Sequence, residues 1–114
     1  MKPYLLRIDV FDRERQEAIN RILGLEVPVE EGSWWQHDVS WEELDQRGTY
    51  FIDYYAGLIL PALPALKEIG VEKGDITVWF FYEYEEQCNM AFDPERMALL
   101  SRMEATLCIS CWQK

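Results

Sequence analysis

The sequence is short of positive charge, and this shortage excludes several classes of protein. Its 114 residues contain 11 Lys and Arg against 21 Asp and Glu, a formal net charge of −10. A field of that sign repels nucleic acid and anionic membranes and favours association with basic partners. No apolar run approaches the roughly 20 residues that span a bilayer, and the start lacks the apolar core of a signal peptide. We therefore expect a cytoplasmic protein that binds neither nucleic acid nor a membrane.

Residues that carry enzyme chemistry are also scarce. His37 is the only histidine, and Cys88, Cys108 and Cys111 are the only cysteines. On a strand, Cys108 and Cys111 would point to opposite faces, with Cys111 in the core, so they are unsuited to hold one metal ion. No P-loop, GxSxG, HExxH or dinucleotide-binding pattern is present. We expect a non-enzymatic protein without metal or cofactor. An enzyme would need His37 or a carboxylate in a dry cleft.

Hydrophobic patterning predicts a single α+β domain over residues 1–114. With 49% hydrophobic residues the chain is able to form a substantial core. The first half is predicted to form a strand Tyr4–Val10, a helix Arg13–Leu23 after the N-cap Asp12, and a long helix Phe51–Ile69. Pro61 and Pro64 are expected to kink or divide the long helix near Leu60. The second half is predicted to form a β-hairpin within Gly74–Phe92 that turns at Glu85-Glu86, a helix from Pro94 to Met103 and a strand Thr106–Trp112.

The order of these elements resembles the ferredoxin-like β-α-β-β-α-β pattern with an enlarged first crossover. That fold predicts the sheet order 4-1-3-2, with the helices on one face. The enlarged crossover also has room for a short strand around Trp34 to Asp38 and for a helical turn capped by Ser40.

Strand alternation predicts that the other face of the sheet is uncovered. Its expected residues are Arg7, Asp9, Thr77, Trp79, Phe81, Glu83, Asn89, Cys108, Ser110 and Trp112. Such a mixture of aromatic and polar groups is typical of an interface, either in a homodimer or with another protein. It also suits a small-ligand pocket lined by Trp79, Phe81 and Trp112, with Arg7 or Asn89 fixing orientation. The remaining alternative is that Trp34, Trp35 and Trp41 fold back over this face.

The segment Leu25–Gln46 is the second candidate surface. It has seven Asp and Glu, no Lys or Arg, and three of the five tryptophans. Carboxylates attract a cationic partner over a distance, and tryptophans anchor it at short range. The candidate protein-binding residues here are Glu30, Glu31, Trp34, Trp35, Asp38, Trp41, Glu42 and Glu43. The alternative is a solvated loop with its aromatic rings tucked in.

Four stretches resemble an uncharacterised bacterial family, domain of unknown function 4279. They are ILGLE at Ile22–Glu26, LPALPALKEIGVEKGDI, WFFYEYEEQCNMAF, and PERMALLSRMEATLCISCW near the end of the chain. The resemblance implies a small α+β domain and supplies no catalytic residues. Domains of this kind are similar to the small acidic immunity proteins of bacterial toxin systems.

These observations together predict a protein-binding module. Its most concrete form is an immunity-type inhibitor that presents carboxylates and Trp41 to a basic toxin. The alternative function is a small-ligand-binding or regulatory module that uses the aromatic face of the sheet.

Overall fold

The computed structural model describes residues 2–87 and 89–113, which form an α+β domain with one mixed sheet. The strands are β1 (Tyr4–Ile8), β2 (Trp35–Val39), β3 (Ile76–Tyr84) and β4 (Ala105–Gln113). The helices are α1 (Arg13–Leu23), α2 (Trp41–Arg47), α3 (Phe51–Glu68) and α4 (Pro94–Arg102). The α+β class predicted from the sequence is confirmed.

Three of the four described helices begin where a short polar side chain accepts a hydrogen bond from an amide of the first turn, and α3 has no such side-chain cap. The Asp12 carboxylate accepts from the Arg15 amide, and the Asp93 carboxylate accepts from the Arg96 amide. Helix α2 begins in the same way at Ser40, as the sequence predicted. These contacts are local in sequence, which is why the starts of these three helices were predicted at the observed residues, and the start of α3 at Phe51 was predicted as well.

Helix α3 is a single helix and not the two shorter helices that its prolines allowed. Pro61 and Pro64 are both exposed, so the carbonyl groups that lose their partners lie on the solvent side. The opposite stripe, which includes Tyr55, Ile59 and Leu66, is fully buried. Burial of that stripe holds the helix together across both prolines.

The strand order is β2-β1-β3-β4. Strand β1 is antiparallel to both of its neighbours, with Leu6 opposite His37 on β2 and Val78 on β3. Strand β3 is parallel to β4, with Val78 opposite Leu107.

The predicted hairpin and the ferredoxin-like order 4-1-3-2 are therefore wrong. The stretch proposed as the second hairpin arm pairs with no strand in its described part, and Asn89 is exposed outside the sheet. Two-residue hairpin turns favour Gly, Asn or Asp because the turn needs positive φ. Glu85-Glu86 contains none of these residues. The position beside β3 is taken by β4, and the short strand foreseen around Trp34 to Asp38 pairs with β1.

The core lies on one side of this sheet, where the helices pack. Every fully buried strand residue is on that side: Leu6, Ile8, Trp35, Val39, Ile76 and Val78. One polar side chain is buried with them. Gln16 on α1 places Nε2 within hydrogen-bond distance of the carbonyl groups of Val10, Glu30 and Ser33, which share its two N–H groups, and its Oε1 accepts from the Glu30 amide. It thereby ties the loop before β2 to the end of β1.

Candidate functional site: the open face of the sheet

The side of the sheet away from the helices has no buried strand residue in the described chain. We call this side the open face. Its strand residues are Leu5, Arg7, Gln36, Asp38, Thr77, Trp79, Phe81, Glu83, Thr106, Cys108, Ser110 and Trp112. The prediction from strand alternation, that Trp79 and Phe81 point away from the helical layer, is confirmed.

Aromatic rings form the centre of the open face. The rings of Trp79 and Phe81 stack with centroids 5.6 Å apart and planes only 7° apart. Trp112 lies on the adjacent strand, directly opposite Glu83, and is 38% exposed. Partly exposed aromatic rings on a sheet surface are typical of the residues that anchor the centre of a protein interface.

Trp79 carries a polar atom that this arrangement leaves unsatisfied. Its Nε1 atom is buried and has no hydrogen-bond partner among the described residues. A buried donor without an acceptor costs about 1–3 kcal/mol, whereas stacking needs only the ring.

We therefore expect Trp79→Phe to fold at least as stably as the original chain, with a gain of up to about 1 kcal/mol. Chemical denaturation followed by circular dichroism measures the difference. Trp79→Ala is the control, since it removes the ring as well and should lower stability. A loss of more than about 1 kcal/mol in Trp79→Phe would show that the indole N–H is satisfied.

The β1–β2 end of the open face is built around Arg7. Its Nε atom donates to the Asp9 carboxylate over 2.8 Å, and its guanidinium lies 4.3 Å from the centre of the Trp34 ring. The Trp34 indole in turn donates to the Gln36 side chain. Arg7 is the only Lys or Arg on the described strands, and Asp9 engages it. Among the described strand residues of this face, Arg7 is thus the single cation, and Asp9 offsets its charge.

The three tryptophans of the acidic segment have separate environments and do not together cover the open face. Trp34 is 44% exposed beside Arg7. Trp35 is fully buried on the helical side, where its indole donates to Asn20, so this predicted binding residue is a core residue. Trp41 begins α2 and is 60% exposed. The alternative that all three tryptophans fold back over the open face is therefore wrong for Trp35, because Trp35 points to the opposite face from Trp34.

The carboxylates of the acidic segment also have differing roles. Lys2 lies 3.8 Å from the Asp38 carboxylate and 3.3 Å from that of Glu43. The Glu31 carboxylate accepts from the Arg13 amide at the start of α1. Partial burial acts to raise the pKa of Glu43, but its bonds to Lys2 and Ser40 outweigh this and hold the pKa below its usual value.

Glu30 and Glu42 are exposed, so they add charge to the surface around β2. On the open face itself the exposed carboxylates are Asp38 on β2 and Glu83 on β3, and we call these two the acidic rim. Asn89, predicted on this face, is absent from it because it lies in the loop after β3.

His37 lies on the helical side of β2. Its Nε2 atom is 3.1 Å from the Tyr54 hydroxyl, and its carbonyl group accepts from the Tyr55 hydroxyl. Burial lowers the pKa of His37 below the ordinary 6.5, although Asp38 and Glu43 act in the opposite direction. The imidazole is therefore neutral near pH 7 and serves to join β2 to α3.

A pH dependence of stability follows from this lowered pKa. The unfolded chain takes up the histidine proton first as the pH falls, so stability is complete above about pH 6.5 and declines below it, by at most about 1.4 kcal/mol per pH unit. Denaturation between about pH 7 and 5.5 should show a flatter profile for His37→Gln. Equal slopes in the two proteins would contradict this account.

Cys108 and Cys111 also point to separate faces, as their spacing predicted. Cys108 is opposite Trp79 and Cys111 is opposite Tyr82, so they lie on different faces, and both are free thiols. Cys111 is exposed, so the prediction that it lies in the core is wrong. Among residues 2–87 and 89–113, no group of three or more His, Cys, Asp and Glu side chains is placed to hold a metal ion.

The surface of the described chain has cavities of several sizes. The one of about 540 Å³ lies along β2 and borders the open face, since its lining includes Trp34, Gln36 and Asp38. The others, of about 470, 360 and 150 Å³, lie near Lys73, Arg96 and Trp41 respectively. None of the four is lined by Trp79, Phe81 or Trp112. The three aromatic rings of the open face thus lie outside these four cavities.

Comparisons of the chain with protein-family models, with curated proteins and with solved structures found no match. Within the described residues, no helix combines the length and hydrophobicity needed to cross a bilayer.

Proposed function

We propose that this chain is a non-enzymatic protein-binding module whose open face binds a basic protein. The observation that carries the proposal is the stacked pair of Trp79 and Phe81, with Trp112 on the adjacent strand, on a sheet face where no described strand residue is buried. Most of the binding energy in such interfaces comes from a few aromatic anchors near the centre. The residues around these anchors provide a surface complementary in shape to the partner and exclude water from the anchors.

The expected partner is basic because charge on this protein is one-sided. The chain carries a formal net charge of −10, and Arg7, the only Lys or Arg on the described strands, is engaged by Asp9. The acidic rim, Asp38 and Glu83, lies on the same face as the aromatic rings. A cationic partner would be attracted at long range and then anchored on the rings. An immunity-type inhibitor of a basic bacterial toxin is the most concrete form of this function, in line with the resemblance to domain of unknown function 4279.

The test is capture of a partner on the immobilised chain at low salt, followed by titration of the purified partner. We expect a basic protein whose affinity falls steeply with salt, because screening removes the attraction between exposed charges. Trp112→Ala should weaken binding by about 2 kcal/mol or more, whereas Met97→Ala, which truncates an exposed apolar side chain on α4, should leave it unchanged. Failure to capture any basic protein at low salt would contradict the proposal.

The acidic rim has its own matched control. Asp38→Asn with Glu83→Gln removes two charges from the open face, and Glu17→Gln with Glu68→Gln removes two exposed charges from helices α1 and α3. Both pairs change the net charge equally. We expect the rim pair to weaken binding about 3- to 10-fold and the helix pair to have a smaller effect. Equal effects would mean that total charge matters and the position of the rim does not.

The alternative function, a small-ligand or regulatory module on the same aromatic face, makes a different prediction. An apolar or aromatic metabolite would raise the melting temperature, since any ligand that binds only the folded state stabilises it. These four cavities do not include Trp79, Phe81 or Trp112, although the cavity of about 540 Å³ includes Gln36 and Asp38 of the same face.

A further inference from the structure

The outer edge of β4 is unusually open to pairing. Strand β4 stands last in the order β2-β1-β3-β4, and no strand of the described chain pairs with its outer side over the nine residues Ala105–Gln113. Sheet edges in natural proteins are usually blunted by charge, proline, bulges or short length. The sequence of β4, ATLCISCWQ, contains no Lys, Arg, Asp, Glu or Pro. The opposite edge, β2, has only five residues and carries Asp38.

We propose that two copies of this chain associate by antiparallel pairing of their β4 strands about a two-fold axis through Ile109. In this register every residue of the strand has a partner. Ile109 faces itself, Cys108 faces Ser110, Leu107 faces Cys111, Thr106 faces Trp112 and Ala105 faces Gln113 of the second copy. Antiparallel strands gain paired backbone groups and direct side-chain neighbours at each of these positions.

Charge favours a second copy as the occupant of this edge. All five kinds of opposed pair are neutral, so a chain of net charge −10 meets its copy along its one uncharged strand. A basic partner would find no carboxylate on β4 and would be drawn instead to the acidic rim. Pairing β4 with β2 of another copy would join strands of nine and five residues and leave free edges for further growth, whereas two-fold pairing closes the assembly.

The dimer and the proposed partner binding depend oppositely on salt. Repulsion between two acidic copies is screened as salt rises, so the dimer becomes tighter, while attraction to a basic partner becomes weaker. The dimer needs no partner, so a failure of either proposal leaves the other standing.

The first test places charges at one opposed pair, Thr106 and Trp112. Sedimentation velocity of the unmodified chain should show a species of twice 13.6 kDa that increases with concentration and with salt. Thr106→Glu with Trp112→Glu, and equally Thr106→Lys with Trp112→Lys, should lower the association constant at least about 10-fold, because like charges oppose each other twice. Thr106→Lys with Trp112→Glu should dimerise, although its net charge lies between those of the other two.

The second test uses the opposed pair Cys108 and Ser110. With Cys88 and Cys111 replaced by Ser, Ser110→Cys should form a covalent dimer under mild oxidation, since directly opposed strand residues lie within disulfide range. The same protein with Cys108→Ser should not form that cross-link. A chain that stays monomeric at every concentration and salt overturns the proposal. So does a dimer that forms equally in all three charge variants, because its interface would lie elsewhere.

Discussion

Replacing Gln16 by Ala is expected to lower the free energy of unfolding by about 2–5 kcal/mol. The Gln16 amide satisfies the carbonyl groups of Val10, Glu30 and Ser33 and the amide of Glu30, inside a protein interior where these groups have lost water. Its loss leaves several buried backbone groups without partners, and each costs about 1–3 kcal/mol. Urea denaturation measures the change. Gln46→Ala, at an exposed position on α2, is the matched control and should change stability by less than about 0.5 kcal/mol.

Gln16→Glu sharpens this test because it keeps the shape and changes the chemistry. Its carboxylate would face three carbonyl oxygens, so the folded state would favour the protonated form and the pKa of the new group would rise. The folded protein then binds more protons than the unfolded one, and the stability of Gln16→Glu should increase as the pH falls. This trend is opposite to the one expected from His37. A Gln16→Glu protein as stable as the original at pH 7 would contradict the hydrogen-bond network.

The adjacent residues Trp34 and Trp35 are expected to differ widely when each is replaced by Ala. Trp35 is fully buried and its indole donates to Asn20 over 2.8 Å, so Trp35→Ala should cost about 3–5 kcal/mol. Trp34 is 44% exposed and contacts Arg7, and Trp34→Ala should cost less than about 1 kcal/mol. Thermal and urea denaturation of both variants give the comparison. Similar losses in the two would mean that β2 has a different register.

The features that the sequence predicted well depend on contacts between near neighbours. Asp12, Ser40 and Asp93 cap helices three residues away from the amides they bind, and such spacing is visible in the sequence. The orientation of Trp79 and Phe81 also follows from simple alternation along β3. The composition of the open face was therefore predictable on β1, β3 and β4.

The features that were missed depend on contacts between distant parts of the chain. Gln16 is polar and has no sequence signal, and its partners lie up to 17 residues away in the loop before β2. Trp34 and Trp35 are adjacent residues of the same type, and only Trp35 lies in β2 and points to the helical side. A shift of one residue in strand register would exchange their roles.

The sheet order was missed for a related reason. Both β2 and the stretch after Glu86 were short and ambiguous in the sequence. Which of them joins the sheet depends on the side chains that it can bury against the helices. Strand β2 buries two, Trp35 and Val39, on the helical side. The long parallel pair β3–β4 then needs the α4 crossover, whose start at Asp93-Pro94 was predicted.

The proposed binding surface requires that the chain itself leaves the open face uncovered. Hydroxyl-radical footprinting of the free protein at low salt and low concentration tests this at Trp112, with Trp41 and Trp35 as exposed and buried references. We predict that Trp112 is oxidised at a rate close to that of Trp41 and far above that of Trp35. Protection of Trp112 to the level of Trp35 would show that part of the chain covers the open face, and would contradict its role as a binding surface.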